Sequence, residues 1–556
     1  MNNHRYTLLL FWLAVSLGGR AQKVVTATHG VVVSASILAS QAGLDVLKAG
    51  GNAVDAAITT ELTLAVVFPG AGNIGGGGFM VVHLADGRAL ALDFREAAPG
   101  KASRDMYVDS TGKARTDWSQ TGHLACGVPG TIAGMFAAHR YARLPFGDLI
   151  QPAIDLAENG FVISESEASN LNHTRENFLR NNTGPVAFVR DRPWKAGDTL
   201  VQKDLAATLR RIRDQGAKGF YEGETAAYIV EEMRRGGGLI SLEDLKSYEA
   251  KERPVLTFPY RSYTVLTMPL PSSGGLLLGQ MLKMVENNPA MTEGYASPAA
   301  DQLMIEAERR AFADRATYMG DPDFVKVPVA TLLSAPYLRG RMQDFTPGTA
   351  GSSRSVQAGV IPAESTETTH FDVIDGQGNC VSVTTTLNGW YGSKTVAGKA
   401  GFLLNDEMDD FSIKPGVPNM FGAIGGTANA IAPHKRMLSS MTPTIVLRDG
   451  KPFLIAGTPG GTTIPTSVFQ TLVDVIDFHL SPEQAVDVPK FHHQWLPDEV
   501  DLEKGFPDST AGALEHMGYT LKHWGGIGAT EVILVEPDGS FKGVADRRGG
   551  DAAAGY

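Results

Sequence analysis

The apolar positions of the chain recur with two different periods, and the period changes along its length. From Ser36 to Lys48 the spacing predicts a helix, with Gly50-Gly51 as its glycine stop. Asn52 is placed to cap a second helix, Ala53 to Val67, which Pro69-Gly70 closes. Met80 to Leu84 and Leu90 to Phe94 are short apolar runs on either side of Asp86-Gly87, a hairpin signal. Pro152 to Met319 is mostly helical in pattern. Thr346 to Ser365 has no period and is dominated by Gly, Ser, Thr, Ala and Pro, which predicts a loop. Strand-like runs follow at His370 to Asp375, Cys380 to Leu387, Thr444 to Leu447 and Phe453 to Ala456, and a helical pattern resumes at Thr466 to Phe478. No internal repeat is visible. Strands mixed with helices predict an α/β or α+β fold of stacked layers.

The first residues follow a different logic. Arg5 supplies a positive charge, Leu8 to Leu17 an apolar run, and Gly18-Gly19-Arg20-Ala21 small residues at −3 and −1 of a cut after Ala21. This is a secretory signal pattern. The run is shorter than the roughly 20 residues a spanning helix takes. The expectation is a bacterial periplasmic or secreted protein with no membrane span once residues 1–21 are removed.

Composition narrows the class. The 556 residues are 43% apolar and 20% charged, as in a globular protein, with ample length for a buried core. A net charge of −11 argues against nucleic acid as the main partner. Two cysteines cannot build a disulfide scaffold or a four-thiolate zinc site.

The chemistry concentrates in one hairpin. Glu364 to Asp375 and Cys380 to Asn388 flank the turn Gly376-Gln-Gly-Asn379. Folding about it pairs residues whose numbers sum to 754 or 755, so Thr368 is expected opposite Thr386 or Leu387. Directly opposed side chains have Cβ atoms roughly 4.5–5.5 Å apart, which would make Thr368 and Thr386 hydroxyl neighbours. On pattern alone, a Thr-rich β face is the plainer account of both.

Further motifs change that balance. Thr368-Thr-His-Phe, Asp409-Asp-Phe-Ser, Lys435-Arg-Met-Leu-Ser-Ser-Met441, Pro459-Gly-Gly461 and Phe491-His-His-Gln-Trp-Leu-Pro497 resemble the γ-glutamyltranspeptidases. So do Gly50-Gly-Asn-Ala-Val-Asp-Ala, Gly75-Gly-Gly-Gly-Phe, Asp93-Phe-Arg-Glu and the terminal Ala552-Ala-Ala-Gly-Tyr556. The resemblance covers nearly the whole chain in family order. It implies an N-terminal-nucleophile (Ntn) hydrolase, a four-layer αββα sandwich that cuts its own precursor. Here the scissile bond would be Glu367–Thr368, giving a large piece, 22–367, and a small catalytic piece, 368–556, as one intertwined domain. The freed α-amine, with a reference pKa near 8, would help activate the Thr368 hydroxyl.

The resemblance also assigns roles. Arg95, with Ser439 and Ser440, would hold a substrate α-carboxylate, for which a guanidinium fork is suited. Asn388, Glu407 and Asp410 would receive the α-ammonium. Gly460 and Gly461 would form an oxyanion hole, and Thr386 would support the nucleophile. Pro415 to Gly426 resembles a lid, with Phe421 where some relatives carry tyrosine; a phenyl ring covers but cannot hydrogen-bond to Asn388. No metal or cofactor is implied. The donors would be glutathione and related γ-glutamyl amides, the acceptors water, amino acids or peptides.

Other features read as structure. Gly75 to Gly78 lacks a phosphate-loop spacing and is expected to serve close packing. His492 and His493 are adjacent on a strand and point to opposite sides. Cys380 lies near 20 Å from Thr386 along one strand at about 3.3 Å per residue, and Cys126 reads as a small buried residue. Two rival readings stay open: an acylase for glutaryl amides or a poly-γ-glutamate hydrolase, and a non-catalytic periplasmic binding protein.

Overall fold

The computed structural model describes residues 23–356, 369–414, 417, 420 and 427–556. The signal segment, Glu367, Thr368 and Phe421 with most of its loop lie outside the described residues.

Helix Ile37–Lys48 starts after Ser36, and helix Ala53–Val67 starts after Asn52. The Asn52 side chain accepts from the Val54 and Asp55 N–H groups, and Asp55 accepts from the Asn52 N–H in return. That capping box satisfies donors a helix start leaves orphaned. Every residue of Ala53–Val67 is buried, because the helix is covered on all sides.

Two seven-stranded sheets carry the fold. In one, the order is Ala552–Gly555, Gly30–Ser34, Thr369–Asp375, Cys380–Thr386, Gly77–His83, Ala89–Asp93 and Lys251–Arg253. In the other it is Val24–Ala27, Phe541–Val544, Glu531–Val535, Lys451–Gly457, Thr444–Arg448, Tyr263–Thr267 and Leu256–Tyr260. All neighbours in both are antiparallel.

Alternation along single strands separates the layers. Val32 joins Phe371, Val373, Val381 and Val383 in a core shared with helices Ile37–Lys48 and Ala53–Val67. Its neighbours Val31 and Val33 belong to the core that contains the second sheet and helices Gly274–Val285, Pro298–Tyr318 and Thr463–Ile476. The Thr444 N–H reaches across to the Ser382 hydroxyl at 3.2 Å. The layering is helix, sheet, sheet, helix, as the resemblance implied.

Most of the sequence-predicted elements sit within a few residues of their expected bounds. The middle is helical as expected, from Phe146–Asn159 to Pro298–Tyr318, but strands Leu256–Tyr260 and Tyr263–Thr267 interrupt it. They extend one edge of the second sheet and are half-buried, so their pattern is weak in sequence.

Candidate active site

The hairpin Thr369–Asp375 and Cys380–Thr386 pairs Thr369 with Thr385 and Ile374 with Cys380. The partner numbers sum to 754, one of the two expected registers. Asp375 makes the turn: its carboxylate accepts from the N–H groups of Gln377 at 2.9 Å and Asn379 at 3.1 Å. The same carboxylate accepts from the Ala53 N–H at 3.0 Å, tying the turn to the start of helix Ala53–Val67.

At the other end, Asn73 fastens the strand that carries Thr386. Its Nδ2 donates to the Thr386 carbonyl at 2.8 Å and the Thr385 hydroxyl at 3.0 Å. Its Oδ1 accepts from the Gly76 N–H at 2.9 Å and the Thr131 hydroxyl at 2.7 Å. A Cβ on Gly76 would lie 2.0 Å from the Thr386 carbonyl oxygen, and one on Gly75 2.1 Å from that of Leu403. The glycine run therefore serves close packing. Beyond the strand, the Asn388 N–H donates to the Thr386 hydroxyl at 2.7 Å. Asn388 adopts a φ of 75°, the left-handed region that Asn tolerates better than most residues.

Arg95 lies just past strand Ala89–Asp93 and is 1% exposed. Its Nη1 donates to Glu407 and its Nη2 to Asp410. Nη2 also reaches the Leu438 carbonyl at 3.2 Å, and Glu96 Oε2 is 3.6 Å from Nη1. The residues expected to hold the two ends of a zwitterion thus hold each other. Acid outnumbers base here. Among the described residues, Glu407 Oε2, Asp410 Oδ1 and both Glu96 oxygens are buried without a hydrogen-bond partner. Burial pushes the Glu96 carboxyl up to about 8, with Arg95 opposing. Burial likewise pushes Glu407 well above the carboxylate range; Arg95 opposes this, and Glu96 and Asp410 add to it.

Ser439 and Ser440 are fixed from behind. The Ser439 N–H donates to the Pro271 carbonyl at 2.9 Å, and the Ser273 N–H to the Ser439 carbonyl at 2.6 Å. Buried Arg315 donates to the Ser440 hydroxyl at 3.1 Å and the Ser273 hydroxyl at 2.7 Å. Gly460 and Gly461 have φ of 128° and 57°, which favour glycine, and they lead into helix Thr463–Ile476. Neither N–H has an acceptor among the described residues. The helix start also places a partial positive charge there.

Arg95, Glu407, Asp410, Ser439 and Ser440 line one small cleft with Thr386, Asn388 and Gly461. A larger cavity of 670 Å³ is bordered by Thr369, Trp390 and Pro459 and by the carboxylates Glu531 and Asp551. Met420, the described residue next to Phe421, touches one wall of the cleft: its Sδ is 3.8 Å from Asn388 Nδ2, and its N–H donates to Asp409 at 3.1 Å. Asn73, Arg315 and Asn429 were not singled out by sequence, and Glu96 stood only inside the quoted Asp93-Phe-Arg-Glu. Asn73, Arg315 and Asn429 act through buried contacts between distant segments; Asn429 donates to the Asp410 carbonyl at 2.6 Å and accepts from the Leu438 N–H at 3.0 Å.

The remaining candidates fall into the core. Cys126 and Cys380 are buried and unpaired with each other. His492 packs between Thr466 and Gln494, at 2.9 and 3.1 Å, while His493 accepts from the Trp495 N–H at 3.0 Å.

The chain matches a family model described as Gamma-glutamyltranspeptidase over residues 39–556. It is 46% identical over 537 residues to a glutathione hydrolase proenzyme of Escherichia coli (strain K12), covering 96% of this chain and 93% of the relative. A solved cephalosporin acylase from Bacillus halodurans superposes with a TM-score of 0.85 at 26% identity, over 99% of both chains. A solved chain of the Helicobacter pylori gamma-glutamyltranspeptidase gives 0.58 at 45% identity, covering 94% of that chain but 59% of this one.

Proposed function

The chain belongs to the gamma-glutamyltranspeptidase family, and from that premise we propose that it is a self-processing glutathione hydrolase and γ-glutamyltransferase. In the precursor the Thr368 hydroxyl attacks the Glu367 carbonyl carbon. The C–N bond breaks, and water then hydrolyses the resulting ester. Residues 368–556 start with a free threonine amine that takes the proton of the same hydroxyl in later turnovers. The H. pylori chain, which covers 59% of this one along 94% of its own length, supports a large piece of about that share of the chain.

In turnover, Thr368 attacks the γ-amide carbon of glutathione or a related donor. The amide C–N bond breaks, the leaving amine takes a proton, and a γ-glutamyl ester remains for water or an acceptor amine. The N–H groups of Gly460 and Gly461 face the oxygen as it becomes negative; such donors contribute roughly 3–4 kcal/mol.

One observation carries the substrate reading: buried Arg95 shares its cleft with an excess of carboxylates. A bound α-amino acid end exchanges the internal ion pair for two external ones. Its α-carboxylate takes the guanidinium with Ser439 and Ser440. Its ammonium takes the oxygens of Glu407 and Asp410 and the Asn388 amide, enough acceptors for three N–H bonds.

Denaturing gels and a γ-glutamyl anilide assay test this. Wild type should run as two pieces and hydrolyse the anilide, and Thr368→Ala should stay uncut and inactive. An uncut, inactive wild type would overturn the reading. The fold shared with the cephalosporin acylase keeps one second reading, a glutaryl amide acylase. A glutaryl group has no ammonium to occupy Glu407 and Asp410, so a higher kcat/KM on glutaryl than on γ-glutamyl anilide would favour it.

The signal pattern of residues 1–21 supports export, which N-terminal sequencing of the periplasmic fraction checks. No helix among the described residues is long and apolar enough to cross a membrane.

A further inference from the structure

The last described residues before the scissile stretch, Gly351–Val356, are fastened to a part of the chain that the proposed cut assigns to the other piece. The Asp498 carboxylate accepts from the Ser353 N–H at 2.8 Å, the Ser353 hydroxyl at 2.9 Å and the Ser352 hydroxyl at 3.4 Å. The Trp495 indole N–H is shared between the carbonyls of Ser353, at 3.2 Å, and Val356, at 2.9 Å. Arg309, 1% exposed, donates to Asp498 and, at 2.5 Å, to the Ser353 hydroxyl. Glu306 accepts from the Gly351 N–H at 3.0 Å, and a Cβ on Gly351 would lie 2.5 Å from the same carboxylate. His493 Nε2 stands 3.5 Å from Asp498. Ser353 and Val356 are buried, while Trp495 is half-buried and Asp498 reaches in from the surface with its side chain 35% exposed, so the clasp closes over the buried Arg309 from outside.

We propose that Asp498 and Trp495 are positioning residues for self-cleavage: they fix the chain at Ser353–Val356 so that the Glu367 carbonyl is delivered to the Thr368 hydroxyl. The inference rests on the proposed cut at Glu367–Thr368. With the clasp closed, twelve residues, 357–368, separate fixed Val356 from Thr369 in its strand. With it open, the next backbone anchor is Ala350, whose N–H donates to the Met517 carbonyl at 2.8 Å, and the stretch becomes eighteen residues. Loop-closure entropy makes that lengthening alone worth less than about twofold in rate. Losing the direction of approach is worth far more, since misplacing reacting atoms by about 1 Å can cost on the order of 10²-fold. Neither residue lines the cleft at Arg95, so turnover after the cut should not depend on them.

The test is a pulse-labelled time course of the full chain on denaturing gels, for wild type, Asp498→Asn and Trp495→Phe. The cut enzymes are then assayed for kcat and KM on γ-glutamyl anilide. Cleavage should slow by about tenfold in each variant, with kcat and KM of the cut enzyme within twofold of wild type. Cleavage slowed no more than the twofold of loop length, or kcat falling in step with cleavage, would overturn the inference. Trp495→Phe keeps the ring and removes one donor, so it decides the matter if Asp498→Asn does not fold. A wild type that never cuts would refute the proposed function instead.

Discussion

The buried arginines Arg95 and Arg309 both sit among carboxylates, and only Arg95 has company to spare. Around Arg309, every carboxylate oxygen of Glu306 and Asp498 is hydrogen-bonded. Glu306 accepts from Arg309, Arg310, Tyr519 and the Gly351 N–H. Burial would push Glu306 up, but the two guanidinium groups outweigh it and hold the carboxyl below its usual range. Burial opposes the hydrogen bonds at Asp498 too, and there His493, Arg309 and the Ser353 N–H hold it well below. Around Arg95, by contrast, three acids share one guanidinium, four of their oxygens are unpartnered among the described residues, and Glu96 and Glu407 are pushed up. A saturated ionic cluster holds the chain in place. An unsaturated one is left with unmet electrostatic demand, which a ligand carrying both charges can fill.

The largest expected effect tests the unsaturated cluster. Arg95→Ala leaves the substrate carboxylate without its partner in a buried site. Breaking such a pair typically costs about 3–5 kcal/mol, so kcat/KM of the cut enzyme should fall by roughly 10²–10⁴-fold. Arg95→Lys should recover little, because an ammonium lacks the fork. A fall below tenfold would mean that Arg95 is structural.

Glu306→Gln tests the saturated cluster and should show the opposite profile. It leaves buried Arg309 without one of its two carboxylates and should destabilise the fold by about 3 kcal/mol, measured as a lower urea midpoint. The KM of the cut enzyme should not move.

The smallest effect concerns pH, and the two clusters should have opposite signs. Glu306 and Asp498, held low in the fold, contribute stability that is complete above their unfolded pKa values near 4. It is lost as pH falls through their folded values. Glu96 and Glu407, held high, keep their protons where the unfolded chain has released them. They therefore lower stability as pH rises from about 4.3 toward the folded value of about 8 at Glu96. Melting temperature should fall between pH 6 and 8, and Glu407→Gln should flatten that slope by about 1–3 °C. An unchanged slope would place the alkaline loss elsewhere.

The sequence was most informative where local rules govern. The Asn52 cap, the Asp86-Gly87 turn and the register sum of the hairpin all follow from spacing within about twenty residues. Motif resemblance then brought Arg95, Asn388, Glu407, Asp410, Ser439 and Ser440 together from segments spread across the chain, and the structure places them in one cleft. The direct bond from Arg95 to Glu407 and Asp410 was not legible. It depends on which side chains distant segments bring nearest to the guanidinium, and no period or motif encodes that. Nor was Asn73 legible, because beside its local partners Ala71 and Gly76 it bonds Thr131 and the Thr385–Thr386 strand end, two distant stretches. The clasp at Asp498 was hidden for the same reason, and Trp495 appeared only as a letter in a motif.

The order of strands in the first sheet carries one more consequence. Thr369–Asp375 and Cys380–Thr386 lie between Gly30–Ser34 on one side and Gly77–His83 on the other, and Ala552–Gly555 closes the edge against Gly30–Ser34. Residue 552 thus pairs with residue 34, a contact spanning almost the entire chain. Pairings so remote in sequence form late and slowly, and this sheet is unfinished until the C-terminus is in place. The strand that starts at Thr369 lies in that same sheet, with Gly30–Ser34 alone between it and Ala552–Gly555, so the earliest and the latest segments of the sheet in sequence together brace the hairpin from one side.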